Sequence, residues 1–262
     1  MLYTVNCSIL LTELPLLQRP AAAKAAGFDA VEFWWPFATA VPTETQIADF
    51  ENAITDADVR LTGLNFAAGD MPAGDRGLVS WPARSDEFRD NLAVAAGIGG
   101  HLGCTSFNAL YGNRIDGVAP EEQDELAIEN LSLAARFVAP IGGTVLLEPV
   151  SGAPKYPLRT AADVLAVIER VSIQSGDTNI KLLADFYHLA VNGDDVEAVI
   201  SEHAHRFGHI QIADAPGRGE PGTGTLPIHE WLAHSHDLGY DGPIGLEYKT
   251  VATNPFAWLE TA

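Results

Sequence analysis

Residues 144–148 read TVLLE, 180–185 IKLLAD, 209–214 HIQIAD and 244–247 IGLE, four short and largely apolar runs that each close on or carry a polar side chain. A strand with one wet face would alternate apolar and polar residues, whereas near-continuous apolarity marks a parallel strand covered on both faces. Working outward, β-rich runs recur at Tyr3–Cys7, Ala30–Phe33, Arg60–Asn65 and Thr105–Leu110, which brings the number of strands to eight. Helix-like segments lie between them: Leu14–Ala26, Thr43–Asp56, Ser85–Leu102, Pro120–Ala139, Thr160–Val171, Asp194–His203 and Pro227–Leu238, with a short last one around Asn254–Glu260. Several open with capping chemistry, such as Pro42-Thr43 and Pro120 followed by Glu121 and Glu122, where acids suit the positive helix end. Regular alternation with no Gly/Ser linker predicts an α/β fold, a single (β/α)8 TIM barrel over residues 1–262, with an open doubly wound sheet as the alternative.

The chain carries 15 Lys+Arg against 35 Asp+Glu, a formal charge of -20. Such a field repels phosphate backbones and anionic headgroups, so neither nucleic acid nor membrane is an expected partner. A small anionic substrate stays compatible, because placed cations and a metal ion can reverse the field inside a pocket. Two cysteines, Cys7 and Cys104, without CxxC spacing suit a reducing compartment, and the cytoplasm is the expected location. The N-terminal MLYTVNCSILL lacks the cations of a signal peptide. Assembly into a homo-oligomer is left open.

In a barrel of this kind chemistry collects at the C-terminal strand ends. Glu148, Asp185, Gln211 and Glu247 fall on four consecutive strands, which run roughly 5 Å apart, so their side chains can converge on one point. Several carboxylates in an apolar pocket repel one another, and a divalent cation resolves the repulsion; oxygen donors without Cys favour Mg2+ or Mn2+ over zinc. Taken singly, each acid could instead be capped by backbone N–H groups or paired with an arginine. His188, three residues beyond Asp185, is placed to touch a substrate oxygen or else to serve a structural role. His203, His205 and His209 are expected at the N-terminal end of the barrel or on the surface, and His229, His234 and His236 on an exterior helix. Two loops stand out: 66–83 (FAAGDMPAGDRGLVSWPA), long enough for a lid and carrying Arg76, and the Gly/Pro-rich ADAPGRGEPGTGTLP after the seventh run, carrying Arg218. Either arginine could serve as a fork for a substrate carboxylate, or pair with Asp75 or Glu220.

The combination of LLEPV, DFYH, HIQIADAPGRGEPGTG and GLEYK, together with NFAAGDMPAGDRG and NALYGN, resembles the hydroxypyruvate isomerase family, within the xylose-isomerase-like barrels that also include ketose 3-epimerases. The likeness runs along nearly the whole chain, and the HIQIAD…RGEPGTG block is its most specific part. It implies a divalent metal held by Glu148, Asp185, Gln211 and Glu247, the two glutamates doubling as an acid–base pair, with His188 and Arg218 on substrate oxygens. Glutamine at the seventh strand departs from the histidine of the sugar epimerases and agrees with the hydroxypyruvate isomerases. The implied reaction converts hydroxypyruvate to tartronate semialdehyde, a small hydroxy-keto acid, through an enediolate. Alternatives on the same frame are a 2-oxo-tetronate isomerase, a ketose 3-epimerase, a metal-dependent DNA-repair hydrolase, which the charge disfavours, and a non-catalytic sugar-acid binder.

Overall fold

The computed structural model describes residues 1–260. Eight parallel strands close into one barrel in sequence order: β1 (Tyr3–Asn6), β2 (Ala30–Phe33), β3 (Arg60–Asn65), β4 (Ser106–Asn108), β5 (Thr144–Leu147), β6 (Ile180–Asp185), β7 (Phe207–Ile212) and β8 (Ile244–Leu246), with β8 pairing back onto β1. The closed order excludes the open doubly wound sheet. Burial follows the expected pattern, with every residue of β2, β8 and all but the second of β6 out of water.

Around the barrel run α1 (Arg19–Ala25), α2 (Glu44–Asp56), α3 (Ser85–Leu102), α4 (Pro120–Val138), α5 (Ala161–Ser175), α6 (Phe186–Asn192), α7 (Val196–His203) and α8 (Ile228–Asp237). Their starts are written in the sequence. Thr43 and Thr160 each close a reciprocal capping box, with Gln46 and Asp163 respectively, and Pro120 occupies the first turn of α4 ahead of Glu121 and Glu122. α5 runs past Val171 until Gly176 takes φ 79° and ends it. The first helical segment is instead split by Pro20 into a 3-10 turn at Leu16–Gln18 and α1. α6 has no counterpart among the expected helices; it starts directly at the end of β6, with Asp185 as its N-cap.

The 66–83 loop is well anchored. Leu78 and Val79 are fully buried, Asp75 accepts hydrogen bonds from Asp70 N and from Arg84 Nη1, both at 2.7 Å, and the Arg84 guanidinium lies 4.9 Å from the Trp81 ring centroid. Gly77 lies so close to the Leu110 carbonyl that a Cβ would stand 1.9 Å from its oxygen. The loop thereby packs beside the C-terminal mouth of the barrel. No helix among the described residues is long and apolar enough to cross a membrane.

Candidate active site

A cavity of about 340 Å3 at the mouth of the barrel is lined by Glu148 and Glu247, which directly follow β5 and β8, and by His188 and Arg218, and is roofed by Met71, Pro72 and Arg76 of the 66–83 loop. Asp185 and Gln211 are register partners on β6 and β7, so they project to the same face of the barrel wall. All four sequence-singled oxygen donors are at least 94% buried.

How each side chain is held decides what it can do. Asp185 Oδ1 caps α6, accepting from the backbone N–H of Tyr187 (2.9 Å) and His188 (3.1 Å), while Oδ2 accepts no hydrogen bond. One oxygen is thus structural, and the other, though Arg218 and His188 face it at 3.5 and 3.6 Å, accepts no hydrogen bond, which unites the capping and ligand readings of this acid. Glu148 Oε1 accepts from Asn108 Nδ2 at 2.7 Å, and its backbone carbonyl accepts from the Tyr156 hydroxyl. Glu247 Oε1 accepts from Arg218 Nη2 at 2.6 Å and from Trp34 Nε1 at 3.2 Å. Gln211 donates through Nε2 to Glu32, and its buried Oε1 has no partner.

Glu148, Asp185 and His188 each offer a ligand atom, and these atoms lie within 4.8 Å of one another. Proximity alone would make His188 a third ligand. Its Nδ1, however, accepts the backbone N–H of Ser151 at 3.0 Å, and an amide nitrogen can only donate. The neutral ring must then carry its proton on Nε2, the atom facing Asp185 at 3.6 Å, which fits it to donate to an oxygen rather than to coordinate a cation. Burial pushes the His188 pKa down to about 4, which keeps the ring neutral.

Negative charge is in excess here. Burial, reinforced by the charge of Asp185, pushes Glu148 up to about 7, and burial drives Glu247 well above the usual carboxylate range despite Arg218 beside it. Arg218 Nη2 sits between Glu247 Oε1 and Asp185 Oδ2 (3.5 Å). Burial works against its charge, yet Glu247 and Asp185 hold it firmly protonated. The oxygens of Asp185 and Gln211 that accept no hydrogen bond, two glutamates held short of easy ionisation and the absence of sulfur ligands among the described residues fit a hard divalent cation.

Arg218 is not paired with Glu220, whose carboxylate instead takes the Thr250 hydroxyl. Arg76 donates Nη1 to the carbonyl oxygens of Met71 and Asp75 and has no acidic partner among the described residues. Lys249, also lining the cavity, has none either. It sits two residues beyond Glu247, and GLEYK displayed it in the sequence.

One expectation is corrected. His209 is neither a surface residue nor at the outer N-terminal face: it is 2% exposed inside the barrel, with Nε2 2.7 Å from Glu32 Oε2. It stands two positions before Gln211, and the period-two alternation that turns one side chain inward turns the other inward too. His203 and His205 do lie towards solvent before β7, and His229 and His236 on the outside of α8. The sequence reading also passed over the first half of the barrel, where Asn6, Glu32, Asn65 and Asn108 are buried polar residues at or near the ends of β1 to β4. A lone acid in the apolar run AVEF was the available signal for Glu32.

A family model described as xylose isomerase-like TIM barrel matches residues 20–262. A Streptomyces coelicolor protein provisionally named hydroxypyruvate isomerase is 51% identical over 264 residues, covering 98% of this chain and 95% of that one. The hydroxypyruvate isomerase of Escherichia coli is 31% identical, with 98% of each chain covered. A crystal structure from Brucella melitensis, described as an AP endonuclease of family 2, superposes with a TM-score of 0.88 at 29% identity over 99% of this chain and 98% of that one. With full-length relatives of this kind and its polar residues gathered at the mouth of a closed eight-stranded barrel, the chain belongs to the hydroxypyruvate isomerase family of xylose isomerase-like TIM barrels and is an isomerase.

Proposed function

We propose that this isomerase interconverts hydroxypyruvate and tartronate semialdehyde, using Glu148 and Glu247 as the proton-transferring pair and a divalent cation, Mg2+ or Mn2+, held by Glu148, Asp185, Gln211 and Glu247. The observation that carries the reading is the pair of buried glutamates on one small cavity, with Asp185 close to Glu148 and, on the register partner of Asp185, a buried Gln211 Oε1 that accepts no hydrogen bond.

The conversion moves one hydrogen from C3 to C2 of the substrate and one hydroxyl proton from the C3 oxygen to the C2 oxygen. A C–H bond next to a carbonyl is far too weakly acidic for an unaided carboxylate. When bound, the cation would supply Lewis acidity that draws electron density from the two substrate oxygens and lowers that barrier. One glutamate takes the proton from one carbon and the other returns a proton to its neighbour, each held by a partner that fixes its aim: Asn108 for Glu148, Arg218 and Trp34 for Glu247. His188, neutral with its proton on Nε2, donates to a substrate oxygen as charge develops there. Arg218 spends Nε and Nη2 on Glu247, leaving Nη1 for substrate. Arg76 and Lys249, cations on the cavity wall without acidic partners, supply the positive charge that a carboxylate entering so acidic a protein requires.

A second reading, isomerisation of a longer 2-oxo-tetronate, has one specific support. A cavity of about 650 Å3 adjoins the site and shares Trp34, Asn65, Met71 and Pro72 with it, giving space for a longer chain. NMR assays with added Mg2+ or Mn2+ on a panel of hydroxypyruvate, 2-oxo-tetronates and free ketoses separate the readings. Hydroxypyruvate turnover with the highest kcat/KM supports the first, a tetronate preference the second, and turnover of neutral ketoses alone defeats both.

A further inference from the structure

The barrel interior holds a polar network in which Glu32, Asn6 and His209 have no part in the proposed reaction. Glu32 on β2 is 3% exposed and reaches across the barrel to β7. Its Oε1 accepts from Gln211 Nε2 at 2.7 Å and Asn6 Nδ2 at 3.1 Å, and its Oε2 lies 2.7 Å from His209 Nε2. The crossing is made possible at Gly245, the register partner of Gln211 on β8: a Cβ there would stand 2.7 Å from both Glu32 Oε1 and Gln211 Cγ.

The direction of these hydrogen bonds is set by one group that cannot reverse. Ser8 donates its backbone N–H to Asn6 Oδ1 at 3.0 Å, so the oxygen end of that amide is committed and its NH2 end faces Glu32. Glu32 is therefore an acceptor, and the end of Gln211 facing it must be the NH2. The opposite end, Oε1, is left buried and without a partner on the same inward face as Asp185. An amide has one end that can bind a cation and one that cannot, and among the described residues no side-chain hydrogen bond other than that to Glu32 restrains this one.

We propose that Glu32 is a positioning residue: it fixes the side-chain amide of Gln211 so that the oxygen, not the nitrogen, is presented to the divalent cation, with the polarity imposed from the Ser8 backbone through Asn6. The inference rests on the reading of Gln211 as a ligand. It explains why an acid that touches no substrate is kept in the barrel interior and why β8 has a glycine at its centre.

The test is a Mn2+ titration by calorimetry on four proteins: wild type, Gln211→Ala, Glu32→Gln and the double variant. A glutamine at 32 can offer either end to Gln211, so the amide is no longer fixed, and the Mn2+ dissociation constant is expected to rise about 10- to 100-fold, the usual effect of losing a partner behind a ligand. In the Gln211→Ala background the same change is expected to add nothing, because Glu32 acts only through Gln211. If Gln211→Ala binds Mn2+ as wild type does, the ligand reading itself fails. If Gln211→Ala weakens binding but Glu32→Gln does not, or if the two effects add, the ligand reading stands and the positioning role is overturned. Wild-type protein with 15N-labelled glutamine gives an answer independent of whether Glu32→Gln folds. The Gln211 NH2 is expected to be protected from exchange both before and after Mg2+ is added, and an NH2 that exchanges freely overturns the proposal.

Discussion

Arg218 grips Glu247 twice: Nη2 lies 2.6 Å from the carboxylate Oε1, and Nε donates at 3.1 Å to the backbone carbonyl of the same residue. A lysine has one charged nitrogen and cannot span both contacts. Replacing Arg218 with Met leaves a buried glutamate without the guanidinium beside it, and the glutamate answers by holding its proton more tightly. We expect kcat to fall by about 10²- to 10⁴-fold, the range of a lost acid–base group, with Arg218→Lys recovering only a small part. Steady-state kinetics from pH 6 to 9 check this; the residual activity should rise towards higher pH. Wild-type kcat in Arg218→Met would remove Arg218 from the mechanism.

Glu148→Gln and Glu247→Gln are each expected to reduce turnover nearly to nothing, since an amide can offer an oxygen to a cation but cannot carry the transferred proton. Circular dichroism should be unchanged, because glutamine keeps the size of the side chain and an oxygen acceptor at each position and leaves the barrel hydrogen bonds untouched. Near-normal rates in both variants would end the two-glutamate mechanism.

Chelation is expected to abolish activity and Mg2+ or Mn2+ to restore it, with an affinity that depends on pH in a definite direction. Glu148 is held up to about 7 by burial and by Asp185, so below that pH a cation must displace its proton. Affinity should therefore drop as pH falls through about 7. Calorimetry in two buffers of different ionisation heat counts the protons released. The metal-free protein has the matching stability signature. The raised folded pKa makes the Glu148 contribution largest below its ordinary 4.5 and lost as pH rises to about 7, while His188, lowered from 6.5 to about 4, contributes in the opposite sense across the overlapping window. Comparing wild type with Glu148→Gln isolates the first: the variant should gain most, relative to wild type, above pH 7.

Arg76→Met and Lys249→Met are expected to raise KM for hydroxypyruvate about tenfold each with little change in kcat, the mark of an interaction made equally before and during reaction. A neutral ketose should be indifferent to both. If neither substitution changes KM, the carboxylate is held elsewhere.

Much of this architecture is legible in the sequence alone. TVLLE, IKLLAD and IGLE read as buried parallel strands because such strands carry no alternation, and their terminal acids mark the C-terminal mouth. Less legible was anything set by pairing across the barrel. Nothing near Glu32 in sequence points to Gln211, since the two are joined only when closure brings β2 and β7 within reach over Gly245. α6 escaped notice because FYHLAVN is too short to show a helical period, although Asp185 ahead of it is a strong capping residue. The fate of Arg218 was hidden for a related reason. Its loop is closed by side-chain acceptance of backbone amides, which leaves no periodic trace.

That closure gives the last expectation. Asp214, 1% exposed just past the end of β7, accepts with its carboxylate from four backbone amides: Ala215 (2.8 Å), Gly222 (2.9 Å), Gly224 (2.9 Å) and Leu226 (3.0 Å). Gly224 fits only without a side chain, as a Cβ would stand 2.2 Å from the Ala215 oxygen and 2.4 Å from Asp214 Oδ1. The loop so gathered returns as an antiparallel bridge between Asp214 and Gly219, and Arg218, at a left-handed φ of 59° beside Gly217, is the residue thrown inward onto Glu247. Asp214→Asn keeps the shape but turns one acceptor into a donor facing amide N–H groups. Hydrogen bonds to a charged acceptor are worth about 1.5–3 kcal/mol each, so Tm should drop by about 5 °C or more. If Asp214 matters to chemistry through Arg218, kcat should fall and the residual activity should rise towards higher pH as in Arg218→Met, and the double variant should be no slower than Arg218→Met alone. A lower Tm with unchanged kcat would leave Asp214 a stabilising residue only, and a double variant slower than either single would mean that the loop serves the site by some route other than Arg218.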